Sequence, residues 1–446
     1  MRIIRGLEEG RELFLRRLSL EAPELPPAVR ETIRRVFGAE LDAAGVVERI
    51  LRDIRAGGDT AVHRYNREID GLPDGVPIEV TGTEIQQAYA SVDPGTGAAL
   101  QQAADRIRDF HKRQLQNSSR SFEHDGIGQV VRPIERAGLY VPGTKVVYPS
   151  TVLMLAVPAR VAGVSELVMV TPAAPDGTVS PLKLVAADIA GVDRIFRGGG
   201  VQGIGAMAYG TETVPAVHKI CGPGNIFVTI AKKQLFGEVG IDGIFGPSET
   251  LIVADDSANA DLVAADLLAA AEHDELATSV LITTSSALAA AADTRVEARL
   301  GSLARADVAR ASTGVRGGIV IVDSLEEGMA LANEFAPEHM CLHTARPAEA
   351  LNMVRNAGAV FVGESSVESI GDYTAGPSHV MPTGGNALYA SPIGVHDFLK
   401  VTSVISLRQE HVDEIGPAAA EIARAEGLTG HAESIEARLK GTPGER

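Results

Sequence analysis

The chain has 446 residues, a length that predicts two to four packed units and excludes a single small binding module. With 45% hydrophobic and 22% charged residues, 47 glycines and 23 prolines, it has the composition of a globular protein with many turns, which excludes intrinsic disorder and fibrous repeats. The 58 acidic residues outnumber the 41 basic ones, and the net charge of −17 disfavours nucleic-acid binding, because phosphate recognition needs a positive surface.

Three further features of the sequence bear on its cellular location. The longest uncharged apolar stretches, at 146–159 and 277–292, are shorter than the ~20 residues that a membrane-spanning helix needs. The first residues mix Arg and Glu and lack the apolar core of a secretory signal. Because Cys221 and Cys341 allow at most one disulfide, the sequence predicts a cytoplasmic protein that does not span a membrane.

The first part of the chain, to about residue 125, has the apolar spacing of helices. Within it, the segment Gly57-Gly58-Asp59-Thr60 is expected to separate two helices. From residue 166 the pattern changes to short β-rich runs that alternate with Ala-rich helical stretches. Strands are predicted at 167–170, 194–196 and 219–221, with helices at 182–189, 201–209 and 225–235.

A second series of alternating elements follows. Its strands are predicted at 250–253, 280–284, 318–322, 340–343 and 360–362, and its helices at 261–273, 287–300, 325–335 and 348–357. The last fifty residues return to helix, with a break at Gly427. This alternation predicts the α/β class with parallel sheets, and two series predict two sheets. Ligands of such sheets bind beyond the carboxyl ends of the strands, so candidate residues are expected there.

Two glycine motifs follow predicted strands. The segment 198–203 matches the dinucleotide fingerprint G-x-G-x-x-G literally, but the acidic residue expected about 20 residues later is missing. Close packing of a helix on a strand explains these glycines equally well. The second motif, Gly222-Pro223-Gly224-Asn225, precedes a predicted helix, whose first N–H groups could hold a pyrophosphate. An ordinary strand-to-helix turn is the alternative.

Acidic and imidazole side chains are the remaining candidates for chemistry. Glu338 and His339 are adjacent just before a predicted strand, where the imidazole could accept a proton from an alcohol and the carboxylate could activate water. A solvated Glu beside a packed His is the alternative. Imidazole and carboxylate groups are ligands that Zn²⁺ prefers, and the chain carries them at His273, Asp372, His379 and His431. These positions are widely separated, so their spacing is not diagnostic of a metal site.

A series of short motifs, in order along nearly the whole chain, resembles the histidinol dehydrogenase family. The motifs are ERAGLYVPG (135–143), YPSTVLM (148–154), AMAYGTE (206–212), GPGN (222–225), GPSE (246–249), AEH (271–273), NEFAPEH (333–339), GDY (371–373), SHV (378–380), DFLK (397–400) and AEGL (425–428), followed by His431.

The fold expected with this resemblance is α/β, with two Rossmann-like parallel-sheet domains and helical N- and C-terminal extensions. The expected division is a helical segment at 1–35, a first Rossmann-like domain from 36–139 and 248–393, a second, NAD-binding domain at 140–247, and a helical dimerisation segment at 394–446.

The resemblance implies a homodimeric enzyme, dependent on NAD and zinc, that oxidises L-histidinol through L-histidinal to L-histidine in two hydride transfers. It assigns His339 as the base for the hydroxyl proton and Glu338 as the group that activates water. It places metal ligands at His273, Asp372 and His431, with His431 of the partner subunit completing the set. Substrate contacts fall on Ser248, His273, Glu338, His339, Asp372, His379, Glu426 and His431. NAD contacts fall on Tyr140, Gln202 and Asn225, so the resemblance favours Gln202 over the neighbouring glycines.

This chain departs from the family pattern near the metal and the substrate. The family Gln three residues before the metal-binding His is Ala270, and a methyl group cannot coordinate zinc. The other departures are Thr144 for Gly, Ser378 for Asn, Leu388 for a common Arg and His396 for a common Tyr.

Because the acid–base pair is retained while its surroundings differ, three hypotheses stay open. The first is a histidinol dehydrogenase with a weakened or water-completed metal site. The second is a paralogue that oxidises another small polar alcohol, such as a dihydroxypropane sulfonate or another amino alcohol. The third is a catalytically silent paralogue that binds a metabolite or a metal.

Overall fold

The computed structural model describes residues 1–14, 25–143 and 146–439. The chain forms two compact units, a larger one of Met1–Gln116 with Ile134–Phe398 and a smaller one of Asn117–Pro133 with Leu399–Arg446. Thr144, together with parts of the predicted terminal segments 1–35 and 394–446, lies outside the described residues.

The described elements follow the predicted alternation of strands and helices. The strands are β1 (Arg2–Arg5), β2 (Phe122–His124), β3 (Ile127–Pro133), β4 (Arg136–Tyr140), β5 (Glu166–Thr171), β6 (Arg194–Arg197), β7 (Lys219–Cys221), β8 (Gly240–Ile241), β9 (Glu249–Ala254), β10 (Thr278–Thr283), β11 (Gly318–Ile321), β12 (His339–His343), β13 (Ala359–Val362) and β14 (Leu399–Ile405).

The helices are α1 (Leu7–Phe14), α2 (Pro27–Phe37), α3 (Ala43–Glu68), α4 (Gly82–Ser91), α5 (Pro94–Gln116), α6 (Pro149–Ala162), α7 (Pro181–Ala190), α8 (Gly200–Tyr209), α9 (Ile226–Leu235), α10 (Ala260–Ala271), α11 (Ser286–Leu300), α12 (Ala306–Val315), α13 (Leu325–Phe335), α14 (Pro347–Leu351), α15 (Glu368–Tyr373), α16 (Gln409–Ala425) and α17 (Thr429–Glu436). Short 3₁₀ turns span Asn386–Leu388 and Val395–Phe398.

The first parallel sheet of the larger unit has the strand order β1-β11-β10-β9-β12-β13. The strands predicted in the second series are confirmed, whereas the helix predicted at 348–357 ends at Leu351. The N-terminal segment, predicted to be helical, begins with β1, which pairs with β11 at one edge of the sheet. A run of four residues is too short for its apolar pattern to distinguish a strand from a helix.

The second parallel sheet has the order β6-β5-β4-β7-β8. Helix α3 packs against α8 and α9, helix α4 packs against α7, and helix α5 packs against α6. The chain between 43 and 116 therefore contacts helices of this second sheet. The sequence groups these helices with 248–393, and that division of the chain stays a prediction. The break expected at 57–60 is confirmed, because Gly58 adopts φ 50° and ψ −135° inside α3.

The smaller unit combines a sheet with two helices. Its strands pair antiparallel in the order β14-β3-β2, with Val401 opposite Val131 and Ile405 opposite Ile127. The predicted helices α16 and α17 are confirmed, and Gly427 separates them with φ 79°. The sequence analysis missed β14, because the C-terminal segment was expected to be helical throughout.

Buried apolar side chains cover both faces of the two parallel sheets. One cluster joins α3, α8 and α9 to β5 and β7, and two others lie on opposite faces of β9, β10 and β11. Two-sided burial is the reason that these strands read as continuous apolar runs. Among the described helices, none is long and apolar enough to cross a membrane.

Gly203 shows how closely α8 packs on the second sheet, since a Cβ there would lie 2.6 Å from Cγ1 of Val170 in β5. We therefore expect Gly203→Ala to lower the free energy of unfolding by about 1–3 kcal/mol, the usual cost of overpacking a core. Urea unfolding measures this change. The matched control is Gly301→Ala, because Gly301 has an ordinary φ of −67° and open space around its Cβ position. Equal losses of stability in the two variants would show that the contact between Gly203 and Val170 is not tight.

Candidate active site

A cavity of about 1480 Å³ lies in the larger unit between the two parallel sheets. On the first sheet it is lined by Ser248, Thr278 and His339, which precede or begin β9, β10 and β12. On the second sheet it is lined by Pro142 and Asn225, which follow β4 and β7. The lining residues therefore follow the strands in the second sheet, as expected for a ligand site, and precede or begin them in the first. The first sheet meets the cavity with its amino edge, where the chain returns from helices α10 and α13.

Glu338 and His339 stand at this amino edge because helix α13 stops just before them. Ala336 takes a left-handed conformation, with φ 52°, and Pro337 cannot continue the helix. The Glu338 side chain is buried, and its Oε2 accepts a hydrogen bond of 3.0 Å from the backbone N–H of Glu249. Burial raises the pKa of Glu338 well above its ordinary value, against the effect of that hydrogen bond.

The His339 ring is buried among carboxyl groups. Its Nδ1 lies 3.2 Å from Oε1 of Glu368 and 4.0 Å from Oε2 of Glu338, and its Nε2 lies 3.9 Å from Oδ1 of Asp372. Within the part of the chain that the structure describes, neither ring nitrogen makes a hydrogen bond. Burial, together with the smaller effect of the nearby imidazoles of His273 and His379, lowers the pKa of His339 to about 3, so the ring is neutral at pH 7 and can accept a proton.

Glu368 is a site residue that the sequence analysis missed. It begins α15 and is 3% exposed, and both of its carboxyl oxygens accept from Oγ1 of Thr250, at 2.8 and 2.9 Å. Burial raises the pKa of Glu368 well above its ordinary value, and the charge of Asp372 adds to the rise. Its spacing of four residues from Asp372, which places both carboxyl groups on one helix face, was the available signal.

The structure brings four further predicted residues to the same cavity. Ser248, His273, Asp372 and His379 all line it. Nδ1 of His379 lies 2.8 Å from the carbonyl oxygen of Asp372, so this nitrogen carries the proton and donates. Oγ1 of Thr151, 3.0 Å from Nε2, can then donate to that nitrogen. Burial lowers the pKa of His379 to about 4 and raises that of Asp372 to about 6, the latter opposed by the charge of His273.

The predicted metal ligands are divided between the two units. His273 and Asp372 lie in the larger unit, and His431 is exposed on α17 of the smaller unit, as is Glu426 after α16. Among the described residues, no group of three or more His, Cys, Asp or Glu is arranged to hold a metal ion. Ala270 is fully buried on α10 and offers no ligand atom.

Of the predicted NAD contacts, only Asn225 lines the cavity. Tyr140 is buried, and its hydroxyl oxygen accepts from the backbone N–H of Gly200 at 2.9 Å. Gln202 is 1% exposed, and its amide donates to Asp70 at 2.9 Å. The structure therefore does not bring Tyr140 and Gln202 to the cavity wall.

Asp70 accounts for the literal glycine fingerprint. Its Oδ2 also accepts from the backbone N–H of Gly199 at 3.0 Å, at the start of α8. In a dinucleotide-binding fold, a phosphate group of the ligand would accept from an N–H group at this position. Here the carboxylate of Asp70 occupies that place. Burial raises the pKa of Asp70 to about 6. These glycines fit the packing of a helix on a strand, which is the alternative that the sequence left open.

The departures at Ser378 and Leu388 lie outside the cavity lining. Ser378 is buried, and its hydroxyl donates to the carbonyl oxygen of Met154 at 3.1 Å. Leu388 is 48% exposed, and His396 is exposed as well. None of these three residues lines the space in which a substrate would bind.

The fold and the site define a two-sheet α/β protein with a buried carboxyl–imidazole pair at a cavity between the sheets. Residues 35–439 match the family model of histidinol dehydrogenase. The chain is 47% identical over 443 residues to the histidinol dehydrogenase of Deinococcus radiodurans, covering 99% of this chain and 100% of that protein. It is 46% identical over 430 residues to that of Syntrophotalea carbinolica, covering 96% and 100%.

The crystal structure of histidinol dehydrogenase from Elizabethkingia anophelis has the same fold, with a TM-score of 0.89 at 33% identity over 99% of this chain and 98% of that one. The chain therefore belongs to the histidinol dehydrogenase family, whose members are NAD-dependent oxidoreductases. The predicted family and the α/β class are confirmed, and none of these relatives supports the reading as an enzyme for another alcohol.

Proposed function

We propose that this chain oxidises L-histidinol through L-histidinal to L-histidine, with NAD accepting a hydride in each of two steps. The observation that carries the proposal is the burial of Glu338 and His339 side by side at one cavity. Family membership supports the choice of substrate. So does the position of Ser378 and Leu388, since these two of the three departures that suggested another alcohol, Ala270 being the third, do not line that cavity.

In the first step, His339 accepts the hydroxyl proton of the alcohol. The oxygen of Glu368 at 3.2 Å from Nδ1 favours the tautomer with the proton on Nδ1, which leaves Nε2 free to act as the base. Loss of the hydroxyl proton concentrates negative charge on the alkoxide oxygen, which expels a hydride from the carbinol carbon to NAD. The same oxygen of Glu368 then stabilises the imidazolium that forms. The products of this step are the aldehyde and NADH.

In the second step, Glu338 takes a proton from the water that adds to the aldehyde. A raised pKa makes the Glu338 carboxylate a stronger base than an ordinary one, which suits this role. The hydrated aldehyde then loses its hydride to a second NAD and becomes the carboxylic acid. Because both carboxyl and imidazole lie at the start of β12, one site can serve both oxidations without moving the substrate far.

NAD binding is proposed at the second-sheet side of the cavity. Asn225 is the predicted cofactor residue that lines it, at the N-terminus of α9. Its carboxamide oxygen accepts from the N–H groups of Phe227 and Val228, which leaves its NH₂ group to donate to a ligand. Tyr140 and Gln202 would contribute by fixing the start of α8 behind this wall.

Zinc is proposed at His273 and Asp372, an imidazole and a carboxylate that line the same cavity and are donors that zinc prefers. These residues fit the metal, although Ala270 supplies no donor and a water molecule would take its place. Bound zinc would hold the imidazole and amine of the substrate. His431 of the partner subunit would complete the protein ligands.

A homodimer is proposed from the surface of the smaller unit. Several large apolar side chains are exposed there, on its sheet and on its helices: Phe122, Ile127, Val401, Ile405, Ile415, Ile422 and Leu428. Exposed apolar surface of this extent favours association with a second copy. Since this unit carries Glu426 and His431, such pairing would bring both residues to the partner's site.

A cytoplasmic location is proposed from the composition of the chain.

The two roles of the acid–base pair can be separated by product analysis. We expect wild-type protein with zinc to form two NADH per histidinol, and His339→Ala to lower kcat by about 10²- to 10⁴-fold. Glu338→Gln should retain the first hydride transfer, so the NADH yield falls towards one and the aldehyde accumulates. Absorbance at the NADH band and trapping of the aldehyde measure both effects.

The controls for these variants are Glu334→Gln on α13 and His396→Ala, both exposed and outside the cavity lining. They should keep the wild-type yield. A folded wild-type protein that forms no NADH from histidinol, or a Glu338→Gln variant that still gives two NADH at the wild-type rate, would contradict the proposal.

Restoring the family ligand tests the zinc proposal. Ala270→Gln should tighten zinc binding by about tenfold or more, because the amide oxygen can replace a weaker water ligand. Competition with a coloured zinc chelator measures the affinity without any enzyme assay. Ala269→Gln, the same change on the neighbouring position of α10, should leave the affinity unchanged. Equal affinities for wild type and Ala270→Gln would argue against zinc at this site.

Mixing variants tests whether sites are shared between subunits. Exchange of His431→Ala with His339→Ala subunits should restore about a quarter of wild-type activity, because half the dimers are mixed and each mixed dimer has one intact site. Exchange of His339→Ala with Glu338→Ala should restore none, since both residues belong to the same chain's site. Native mass spectrometry checks that subunits exchange. No recovery in the first mixture would refute shared sites.

A further inference from the structure

The turn from β7 to α9 is held at its first residue. Gly222 adopts φ 125°, and a Cβ at this position would lie 2.1 Å from the carbonyl oxygen of Tyr140, so only glycine fits. The turn therefore leaves the sheet in close contact with the end of β4. Three residues later, Asn225 caps α9 and reaches the cavity.

Both backbone polar groups of Gly222 are bound by one buried ion pair. The N–H of Gly222 donates to Oδ2 of Asp242 at 2.6 Å, and its carbonyl oxygen accepts from Nζ of Lys232 at 2.9 Å. Lys232 and Asp242 also form a salt bridge with each other, and their side chains are 3% and 0% exposed. The two charges thus compensate each other and, between them, fix the direction of one peptide segment.

The ion pair also reaches the next segment of the cavity wall. Nζ of Lys232 lies 4.9 Å from the ring centre of Phe245, and the carbonyl oxygen of Phe245 accepts from Oγ1 of Thr229 on α9 at 3.1 Å. Phe245 and Thr229 both line the cavity. The buried ion pair and its neighbours therefore connect three segments of the cavity wall: the turn at 222–225, helix α9 and the segment around Phe245.

We propose that Lys232 and Asp242 are positioning residues for the cofactor, which set the Gly222–Asn225 turn in the orientation that binds NAD. This inference rests on the proposed NAD-dependent function. A buried ion pair adds little net stability compared with well-packed neutral residues, but the loss of one partner leaves a costly uncompensated charge. We therefore assign this pair a geometric role under the turn, because small displacements of a ligand-binding group cost much affinity.

The test compares NAD affinity with stability. In Lys232→Met, the carbonyl group of Gly222 loses its donor and Asp242 loses its charge partner. In the double variant Lys232→Met/Asp242→Asn neither position of the pair carries a charge, and the Asn oxygen still accepts from Gly222, so this variant is expected to fold. We expect the dissociation constant for NAD, measured by calorimetry, to rise at least about tenfold in both variants. The KM for NAD should rise in parallel, with KM for histidinol changed by less than about twofold.

Lys219→Met is the matched control. Lys219 is also largely buried and also holds an aspartate, with Nζ 2.8 Å from Oδ1 of Asp397. Its charge also acts on Asp242, but among the described residues its side chain makes no hydrogen bond to the turn and no ion pair with Asp242. This variant should lose stability without losing NAD affinity. Wild-type affinity for NAD in the folded double variant, or an equal loss in Lys219→Met, would overturn the inference. If the wild-type protein binds NAD but does not oxidise histidinol, the proposed function is refuted. The inference on Lys232 and Asp242 is then still tested, because the dissociation constants for NAD can be compared by calorimetry.

Discussion

The hydrogen bond from the backbone N–H of Glu249 to Oε2 of Glu338 ties the acid–base pair to the amino edge of the first sheet. It links the first residue of β9 to the residue just before β12, two strands that pair in parallel with His339 opposite Thr250. The same register places the hydroxyl of Thr250 against Glu368, whose carboxyl oxygen faces Nδ1 of His339. The strand pairing of β9 with β12 therefore positions the proposed base His339, the proposed water-activating carboxyl group of Glu338 and the carboxyl group of Glu368 beside the imidazole.

The two sheets contribute different parts of the site because they meet the cavity with opposite edges. The second sheet presents its carboxyl edge, where the turn after β7 opens a helix, and this is the usual location for a nucleotide. The first sheet presents its amino edge, where buried side chains of strand residues can be held by neighbouring strands on both sides. Rigid strand residues suit the acid–base pair, since proton transfer depends on close and constant distances.

Much of the fold could be predicted from the sequence, since the alternation of apolar strands and Ala-rich helices is a local property. Elements with weak local signals were missed: β4 has the sequence Arg-Ala-Gly-Leu-Tyr, and β1 and β8 are very short. The edge at which the first sheet would carry its chemistry could not be predicted either, because it depends on how two sheets of one unit face each other.

Within the site, the sequence motifs identify the residues but not their partners. Glu338 and His339 are adjacent in the chain, whereas Glu368 and Thr250 approach His339 from distant segments. Asp70 also comes from a distant segment, since it lies 129 residues before Gly199 in the chain. Nothing in the local sequence indicates that its carboxylate binds the start of α8. Long-range contacts of this kind are set by tertiary packing, which no local spacing encodes.

We propose that a cofactor bound at the carboxyl edge of the second sheet meets the base at the amino edge of the first. A crystal structure of the protein with NAD and histidinol tests it most directly. We expect the nicotinamide ring and the alcohol carbon to lie in the cavity between Asn225 and His339, with the hydroxyl oxygen within hydrogen-bond distance of the imidazole. NAD bound at the start of α8 in place of Asp70, or an alcohol bound away from His339, would contradict it.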